Sequence, residues 1–172
     1  AVTIEDSDLT DLSILGLPNW RMATADDKIV LPAMTVLGTT VGGDPTQING
    51  VSVPLADNLV LTANEVMEAQ AAINSYNGTI SAMASQYGWA HFDSHAVLNQ
   101  IATSGYPMDD FNMTADLVFG GLFSLDGVHP TARGNALIAK LMMAEIDATY
   151  GSNLSDSGLD IGDYPTNYPN GL

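Results

Sequence analysis

The sequence predicts an α/β protein, and two long helical segments with extended segments beside them carry that prediction. Residues 62–87 open with the capping box Thr62-Ala63-Asn64-Glu65 and repeat apolar residues every three or four positions. Residues 89–93 are predicted to form a strand packed on this helix, and a helix followed by a strand at this spacing is an α/β unit. A second amphipathic helix is predicted over residues 132–150, where Gly151 ends it.

The first helix is predicted to bury one face in the core and to end at Gly88 in the C′ position. That face consists of Val66, Ala69, Ile73, Tyr76, Ile80, Met83 and Tyr87. Upstream, residues 2–4 are predicted to form a short strand. A helix over residues 25–31 is expected to begin after Thr24 and to stop at Pro32.

The middle of the chain is predicted to be irregular. Residues 38–61 are rich in Gly, Pro, Asn and Asp and indicate a long surface excursion, within which Asn49-Gly50 suits a type I′ hairpin turn. Residues 94–102 are expected to form a short helix with Ser94 as its N-cap, and residues 117–123 an apolar extended segment.

Composition excludes several classes of partner and chemistry. Twenty acidic residues stand against four basic ones, which gives a net charge of −16. Nucleic acid and anionic membrane surfaces are therefore not expected as partners, because both need a basic face. No stretch approaches the roughly 18 apolar residues that span a bilayer. Cysteine is absent, which excludes disulfides, thiolate catalysis and Cys-ligated zinc.

One segment carries recognisable chemistry: Ser124-Leu125-Asp126-Gly127-Val128-His129-Pro130-Thr131, directly before the last helix. In acyl transfer an imidazole takes the proton of the attacking serine, and a carboxylate holds that imidazole in the required tautomer. Asp126 and His129 lie on one loop, so their relation is set locally. Pro130 keeps His129 out of helical dihedrals, and Thr131 suits the N-cap. The alternative is an Asp-Gly turn followed by an ordinary loop histidine.

Residues 123–139 resemble the C-terminal block of the SGNH, or GDSL-type, esterases and lipases, in the branch found in Bacteroidetes-like bacteria. In that block the D-x-x-H pattern carries the triad Asp and His, which correspond to Asp126 and His129. Residues 2–6, 25–31, 53–55 and 61–77 also look similar to members of the family. The resemblance implies a flavodoxin-like three-layer α/β/α fold with a central parallel sheet, of which this chain is the C-terminal half.

On this resemblance, residues 1–151 are the C-terminal portion of one hydrolase domain, and residues 152–172 are a polar tail that either docks through Tyr164, Tyr168, Pro165 and Pro169 or is disordered. No signal peptide is recognised and the chain begins at Ala1, so we expect a processed or truncated N-terminus. Family analogy indicates an extracellular, periplasmic or outer-membrane-associated bacterial protein.

The family's nucleophile, in a G-D-S motif, and its G-x-N-D oxyanion block have no counterpart in this sequence. Ser7 in Glu5-Asp6-Ser7 is the nearest imitation, but Glu5 stands where the motif has glycine. Asp156-Ser157-Gly158 follows the histidine block and is interpreted as tail. Asn19 lacks the glycine block that an oxyanion asparagine needs.

Two groups of residues have the side-chain types of metal sites, and calcium binding at the second of them stays open. His91 and His95 are four residues apart, but His91 falls in the predicted strand, so a zinc site is not expected. Asp6, Asp8 and Asp11 form an acidic turn that could bind calcium but lack the EF-hand spacing. No metal and no cofactor is predicted.

Two functional hypotheses follow. In the first, the chain is part of a serine esterase or lipase acting on carboxylic esters, supplies Asp126 and His129, and is inactive alone; its partners are the ester and the missing N-terminal half. In the second, it is a non-catalytic extracellular domain or a fragment that self-assembles into oligomers or filaments, because a piece cut from a doubly wound fold exposes strand edges and apolar surface.

Overall fold

The computed structural model describes residues 1–17 and 19–167, and the chain divides into two units, Ala1–Ser75 and Tyr76–Leu172. Helices and small antiparallel sheets occur together, which confirms the general α/β class. The described strands form four two-stranded sheets, all antiparallel. A central parallel sheet, which the family resemblance implies, is not formed among these strands.

The first unit is built from six short strands around a small apolar core. The strands are β1 Thr3–Glu5, β2 Trp20–Met22, β3 Lys28–Ile29, β4 Thr40–Val41, β5 Asp44–Ile48 and β6 Val60–Leu61. β1 pairs with β2, β3 with β6, and β4 with β5. The predicted strand over residues 2–4 is thus confirmed within one residue. The core consists of Ile4, Ala33, Leu55 and Val60.

The helix predicted over residues 25–31 is not formed. The backbone N–H and the hydroxyl of Thr24 donate to the Asp27 carboxylate, as at a helix start. That carboxylate also accepts two hydrogen bonds from Arg21 and one from the Ala63 N–H, and the chain continues into β3 instead of a helix. Pro32 lies near the start of a 3-10 helix, Leu31–Thr35, rather than after the end of a helix.

The excursion over residues 38–61 contains a hairpin, but not at Asn49-Gly50. The turn between β4 and β5 is Gly42-Gly43, where φ is +60° and +78°. A type I′ turn needs positive φ at both central residues, and two glycines adopt it without steric cost. The prediction that placed this turn at Asn49-Gly50 is therefore wrong.

Helix α1, Ala63–Tyr87, has the predicted start and end. The Thr62 N–H donates to Glu65 Oε2 at 2.8 Å, and the Glu65 N–H donates to Thr62 Oγ1 at 3.4 Å, which is the capping box. Gly88 has a φ of +67°, and the Trp89 N–H reaches back to the Ala84 carbonyl oxygen at 2.9 Å. These contacts form a Schellman-type end.

The apolar face of α1 is not buried as predicted. Tyr76 is 66% exposed and Ile80 52% exposed, and Met83 and Tyr87 are also exposed. Apolar periodicity identifies which face of a helix is suited to burial, but burial itself requires another element to cover that face. The prediction that these tyrosines belong to the core is therefore wrong.

Residues 89–93 do not form the predicted strand. The Ala90 N–H donates to the Tyr150 hydroxyl at 3.0 Å rather than to a neighbouring strand, and the Trp89 ring stacks on Tyr87. Helix α2, Ser94–Thr103, follows. Its N-cap is Asp93, whose side chain accepts from the Ala96 N–H at 2.9 Å, so the prediction of Ser94 as the cap is off by one residue.

The second unit is organised around helix α3, Ala132–Tyr150, which has the predicted bounds. Strands β7, Tyr106–Met108, and β8, Phe111–Met113, form its hairpin. Its core takes buried residues from α2, β8, α3, the loop before α3 and the C-terminal segment. The buried members are Ile101, Met113, Leu122, Ala136, Leu137 and Ile161.

The C-terminal segment belongs to this core as far as it is described. Its 3-10 helices, Leu154–Ser157 and Ile161–Asp163, pack against α3, and Ile161 is fully buried. The Arg133 N–H donates to the Pro165 carbonyl oxygen at 3.1 Å. Of the two alternatives for this segment, docking and disorder, the structure shows docking up to residue 167. Tyr168 and Pro169 lie outside the described residues.

Candidate active site

The loop that carries Asp126 and His129 is closed at its base by two backbone hydrogen bonds. The Ser124 N–H donates to the His129 carbonyl oxygen at 2.7 Å, and the Thr131 N–H donates to the Leu122 carbonyl oxygen at 2.8 Å. Phe123 and Pro130 face each other in an antiparallel bridge. The six residues 124–129 therefore project as one closed loop from the start of α3.

Thr131 joins this loop to helix and core. Its hydroxyl donates to the Gly121 carbonyl oxygen at 2.6 Å and accepts from the Gly134 N–H at 2.9 Å, which is the predicted N-cap contact. Gly134 permits the close approach, because a Cβ at this position would stand 2.4 Å from the Leu122 carbonyl oxygen. Side-chain and backbone contacts thus fix the position of the His129 loop relative to the N-terminus of α3.

Asp126 is held by three donors on one carboxylate oxygen. Oδ1 accepts from the Ser124 hydroxyl at 2.7 Å and from the N–H groups of Val128 and His129, each at 2.9 Å. Gly127 provides the tight turn with a φ of +71°. The carboxylate is consequently oriented by its own loop, and its second oxygen is left for the imidazole.

That second oxygen contacts His129. Asp126 Oδ2 lies 2.7 Å from His129 Nδ1. The imidazole is 81% exposed and the carboxylate 51% exposed. With Nδ1 committed to the carboxylate, Nε2 is the ring nitrogen that can accept and return a proton. This is the arrangement that the sequence predicted for these two residues, and both are brought together by the structure.

The electrostatics favour an ionised Asp126. The Ser124 hydroxyl, the Val128 N–H and the contact with His129, in that order, hold the pKa of this carboxyl well below its usual range. Asp126 therefore stays negative through the neutral range. A negative partner at Nδ1 stabilises the imidazolium that forms when His129 takes up a proton.

Ser124 is the residue whose role the sequence did not reveal. Its hydroxyl is committed to Asp126 and so acts in positioning that carboxylate. The signal was available in the Ser-x-Asp spacing, because a serine two residues before an aspartate can donate to it across a turn.

Ser7 and Asn19 lie in the first unit, beside a cavity of about 530 Å³. Ser7 is exposed, and none of the three histidines of the chain falls within residues 1–75. Its neighbour Asp6 pairs with Arg21 at 2.5 Å. The first unit thus offers Ser7 no imidazole of its own. Asn19 Oδ1 is buried and has no hydrogen-bond partner among the described residues.

The remaining candidates are the possible metal ligands and Ser157. Within residues 1–17 and 19–167, the structure brings together no group of three or more His, Asp or Glu side chains that could hold a metal ion. The Asp8 carboxylate accepts from the side chain of the distant residue Asn64, and the Asp11 carboxylate accepts from the nearby Ser13 N–H. Ser157 donates to the Met143 sulfur at 3.9 Å.

Comparison of the chain with family models, with curated proteins and with solved structures finds no match. Among the described helices, none is long and apolar enough to cross a membrane.

Proposed function

We propose that this chain is the C-terminal part of an SGNH-type serine ester hydrolase and that it supplies the Asp–His pair of the triad. The observation that carries the proposal is the 2.7 Å contact between Asp126 Oδ2 and His129 Nδ1 on a carboxylate whose other oxygen is fixed by three donors. An ordinary Asp-Gly turn needs none of this side-chain pairing. The family resemblance of residues 123–139 supports the same assignment.

In the proposed reaction, His129 Nε2 takes the hydroxyl proton of a serine as that serine attacks the ester carbonyl. The same nitrogen then gives the proton to the departing alkoxide, which leaves as the alcohol. Water repeats the sequence on the acyl-enzyme and releases the acid. Asp126 keeps the neutral ring protonated on Nδ1 and stabilises the imidazolium. The serine and the oxyanion donors come from residues outside this chain.

The proposed parent fold is a flavodoxin-like layer whose remaining strands lie outside this chain. One contact of β1 supports this, although the strand that pairs with β1, β2, is antiparallel. Leu55 forms an isolated parallel bridge with Ile4: the Glu5 N–H donates to the Leu55 carbonyl oxygen at 2.8 Å, and the Leu55 N–H donates to the Thr3 carbonyl oxygen at 2.9 Å. Parallel pairing needs a long crossover, and the segment between β1 and Leu55 is one. A bacterial, exported location is proposed on the family resemblance alone.

Fluorophosphonate labelling of the purified protein, followed by intact mass and peptide mapping, tests the proposal. We expect no labelled serine in these 172 residues, and a labelled serine on any co-purifying polypeptide that completes the site. A label on Ser7 would contradict it. In the completed enzyme, His129→Ala should lower turnover by about 10⁴-fold or more, and turnover close to that of the unchanged enzyme would refute the role of His129.

A second candidate function rests on a different observation, the exposed apolar face of α1 that includes Tyr76, Ile80 and Tyr87. Under this alternative the chain is a non-catalytic extracellular domain or a fragment that self-assembles, because contiguous apolar surface favours association. Sedimentation velocity separates the two. Discrete oligomers or filaments without serine reactivity favour self-assembly, and a monodisperse monomer counts against it.

A further inference from the structure

The second unit contains a cavity of about 400 Å³ that the proposed hydrolase chemistry does not use. Phe111, Met113 and Phe119 provide apolar walls, Gly120 and Gly121 bring the backbone close, and Arg133 adds a guanidinium. Neither Asp126 nor His129 lines it. Its size falls within the range of about 300–1,000 Å³ that small-molecule sites occupy.

Two of the lining residues, Gly120 and Gly121, stand where a side chain would not fit or would be strained. A Cβ on Gly120 would stand 2.4 Å from the Thr114 carbonyl oxygen, and Gly121 has a φ of +78°. Just before them, Val118 has a φ of +76°, which is rare for a β-branched residue and costs free energy. The Asn167 side chain donates to the carbonyl oxygens of Val118 and Phe123, which helps to hold this backbone in place.

Arg133 supplies the cavity with a positive charge. Its guanidinium carbon lies 3.9 Å from the centroid of the Phe111 ring, and its Nε donates to the Tyr164 carbonyl oxygen at 3.1 Å. Within the described part of the chain it forms no ion pair with a carboxylate, whereas Arg21 pairs with two aspartates and Lys140 with Asp109.

Arg133 differs from the other basic residues in being partly buried without a carboxylate partner among the described residues. The chain has twenty acidic side chains for four basic ones, so most positions for an arginine would bring a carboxylate within reach. The partly buried position of Arg133 does not. Lys28 also lacks a carboxylate partner in the described residues, but it is exposed and solvated. An arginine stacked on an aromatic ring keeps its Nη groups available for a planar, bidentate anion such as a carboxylate.

We propose that this cavity binds an apolar carboxylate, with the hydrocarbon part against Phe111, Met113 and Phe119 and the carboxylate on the Nη groups of Arg133. The inference does not rest on the proposed hydrolase function, because binding requires neither Asp126 nor His129. The second unit would then have a ligand site whose lining residues do not include Asp126 or His129, although Arg133 follows them closely in the sequence.

The test is an NMR titration of the full chain with octanoate, kept well below its micellar range, and with octan-1-ol as the neutral probe of equal length. We expect octanoate to shift the amide signals of Met113, Gly121 and Arg133 saturably. Octan-1-ol should bind about tenfold more weakly, because it offers Arg133 no charge. Equal affinity for the two probes, or octanoate shifts that do not saturate or fall elsewhere, would overturn the proposal.

A matched pair of variants isolates the guanidinium. Arg133→Gln and Lys28→Gln remove the same charge from the chain, but only Arg133 lines the cavity. Arg133→Gln should raise the Kd for octanoate about tenfold, while Lys28→Gln should leave it within about twofold. Equal effects of both variants would show that only overall charge matters and would refute the site. If Arg133→Gln does not fold, the comparison of octanoate with octan-1-ol on the unchanged chain still decides.

Discussion

Gly134 is the third residue of α3, and its replacement by alanine tests how tightly the helix start is packed against the segment that leads into the Asp126–His129 loop. A Cβ at this position would stand 2.4 Å from the Leu122 carbonyl oxygen and 3.1 Å from Pro130 Cβ. Distances below 3.0 Å essentially do not occur for real Cβ atoms, so either the helix or residue 122 must move. The same carbonyl oxygen accepts the Thr131 N–H at 2.8 Å, and that movement would strain or break this bond.

The expected cost is the sum of three contributions. Overpacking in a well-packed region costs about 1–3 kcal/mol, and loss of one hydrogen bond costs about 1 kcal/mol. Alanine returns up to about 1 kcal/mol through its higher helix propensity. Gly134→Ala should therefore lower the free energy of unfolding by about 1–3 kcal/mol.

Gly78→Ala in α1 is the matched control. Nothing lies within 4 Å of a Cβ built at Gly78, and its φ is in the ordinary range, so this change should raise stability by up to about 1 kcal/mol. Both glycines belong to the second unit. Urea unfolding followed by circular dichroism at equal m-values measures both changes. Stabilisation by Gly134→Ala comparable to that by Gly78→Ala would refute the close packing.

Two further changes test the charged contacts. Asp27→Asn should lower the free energy of unfolding by about 2 kcal/mol at pH 7, since the partly buried Arg21 loses its bidentate partner and keeps only Asp6. Arg21 holds the pKa of Asp27 well below its usual range, so the stabilisation by the ionised carboxylate is complete above a pH of about 4 and is lost at lower pH. The difference in unfolding free energy between the unchanged protein and Asp27→Asn, measured by urea unfolding, should therefore become smaller below that pH. A difference that does not change with pH would be inconsistent with this linkage. Ser124→Ala should raise the pKa of Asp126 towards its ordinary value in a ¹³C carboxyl titration, and an unchanged pKa would mean that the hydroxyl contributes nothing.

Helix ends were predictable from the sequence because their determinants are local. Thr131 caps α3 with its own hydroxyl, and Gly151 ends it with a φ of +67°. The Thr62–Glu65 capping box likewise forms as predicted at the start of α1. Each of these contacts joins residues only a few positions apart, so the pattern of residue types specifies it directly.

Predictions that depended on distant partners fared worse. The apolar face of α1 is exposed because periodicity does not specify what covers it, and residues 89–93 remain irregular because Ala90 bonds to Tyr150 instead of a strand. The polar composition of the C-terminal segment concealed Ile161, a single residue that reaches the core. Burial of one residue leaves no periodicity to detect.

In the candidate site, too, local features were predictable from the sequence and contacts between distant residues were not. The spacing of Asp126 and His129 predicted that they share a loop, and the structure places them in contact. The hydrogen bond from Ser124 to Asp126 was not predicted, since a serine before a turn has many alternative roles. Arg133 and its cavity could not be predicted, because Phe111 and Gly121 join it only through the tertiary fold.

The tautomer of the His129 ring tests the central claim most directly, and long-range ¹H–¹⁵N NMR correlation measures it. We expect the neutral ring to carry its proton on Nδ1, donated to Asp126 Oδ2, and to leave Nε2 unprotonated as a base. Asp126→Asn should abolish this preference, because an amide can donate to Nδ1. A neutral ring protonated mainly on Nε2, or a tautomer that Asp126→Asn does not change, would contradict the assignment of a catalytic Asp–His pair.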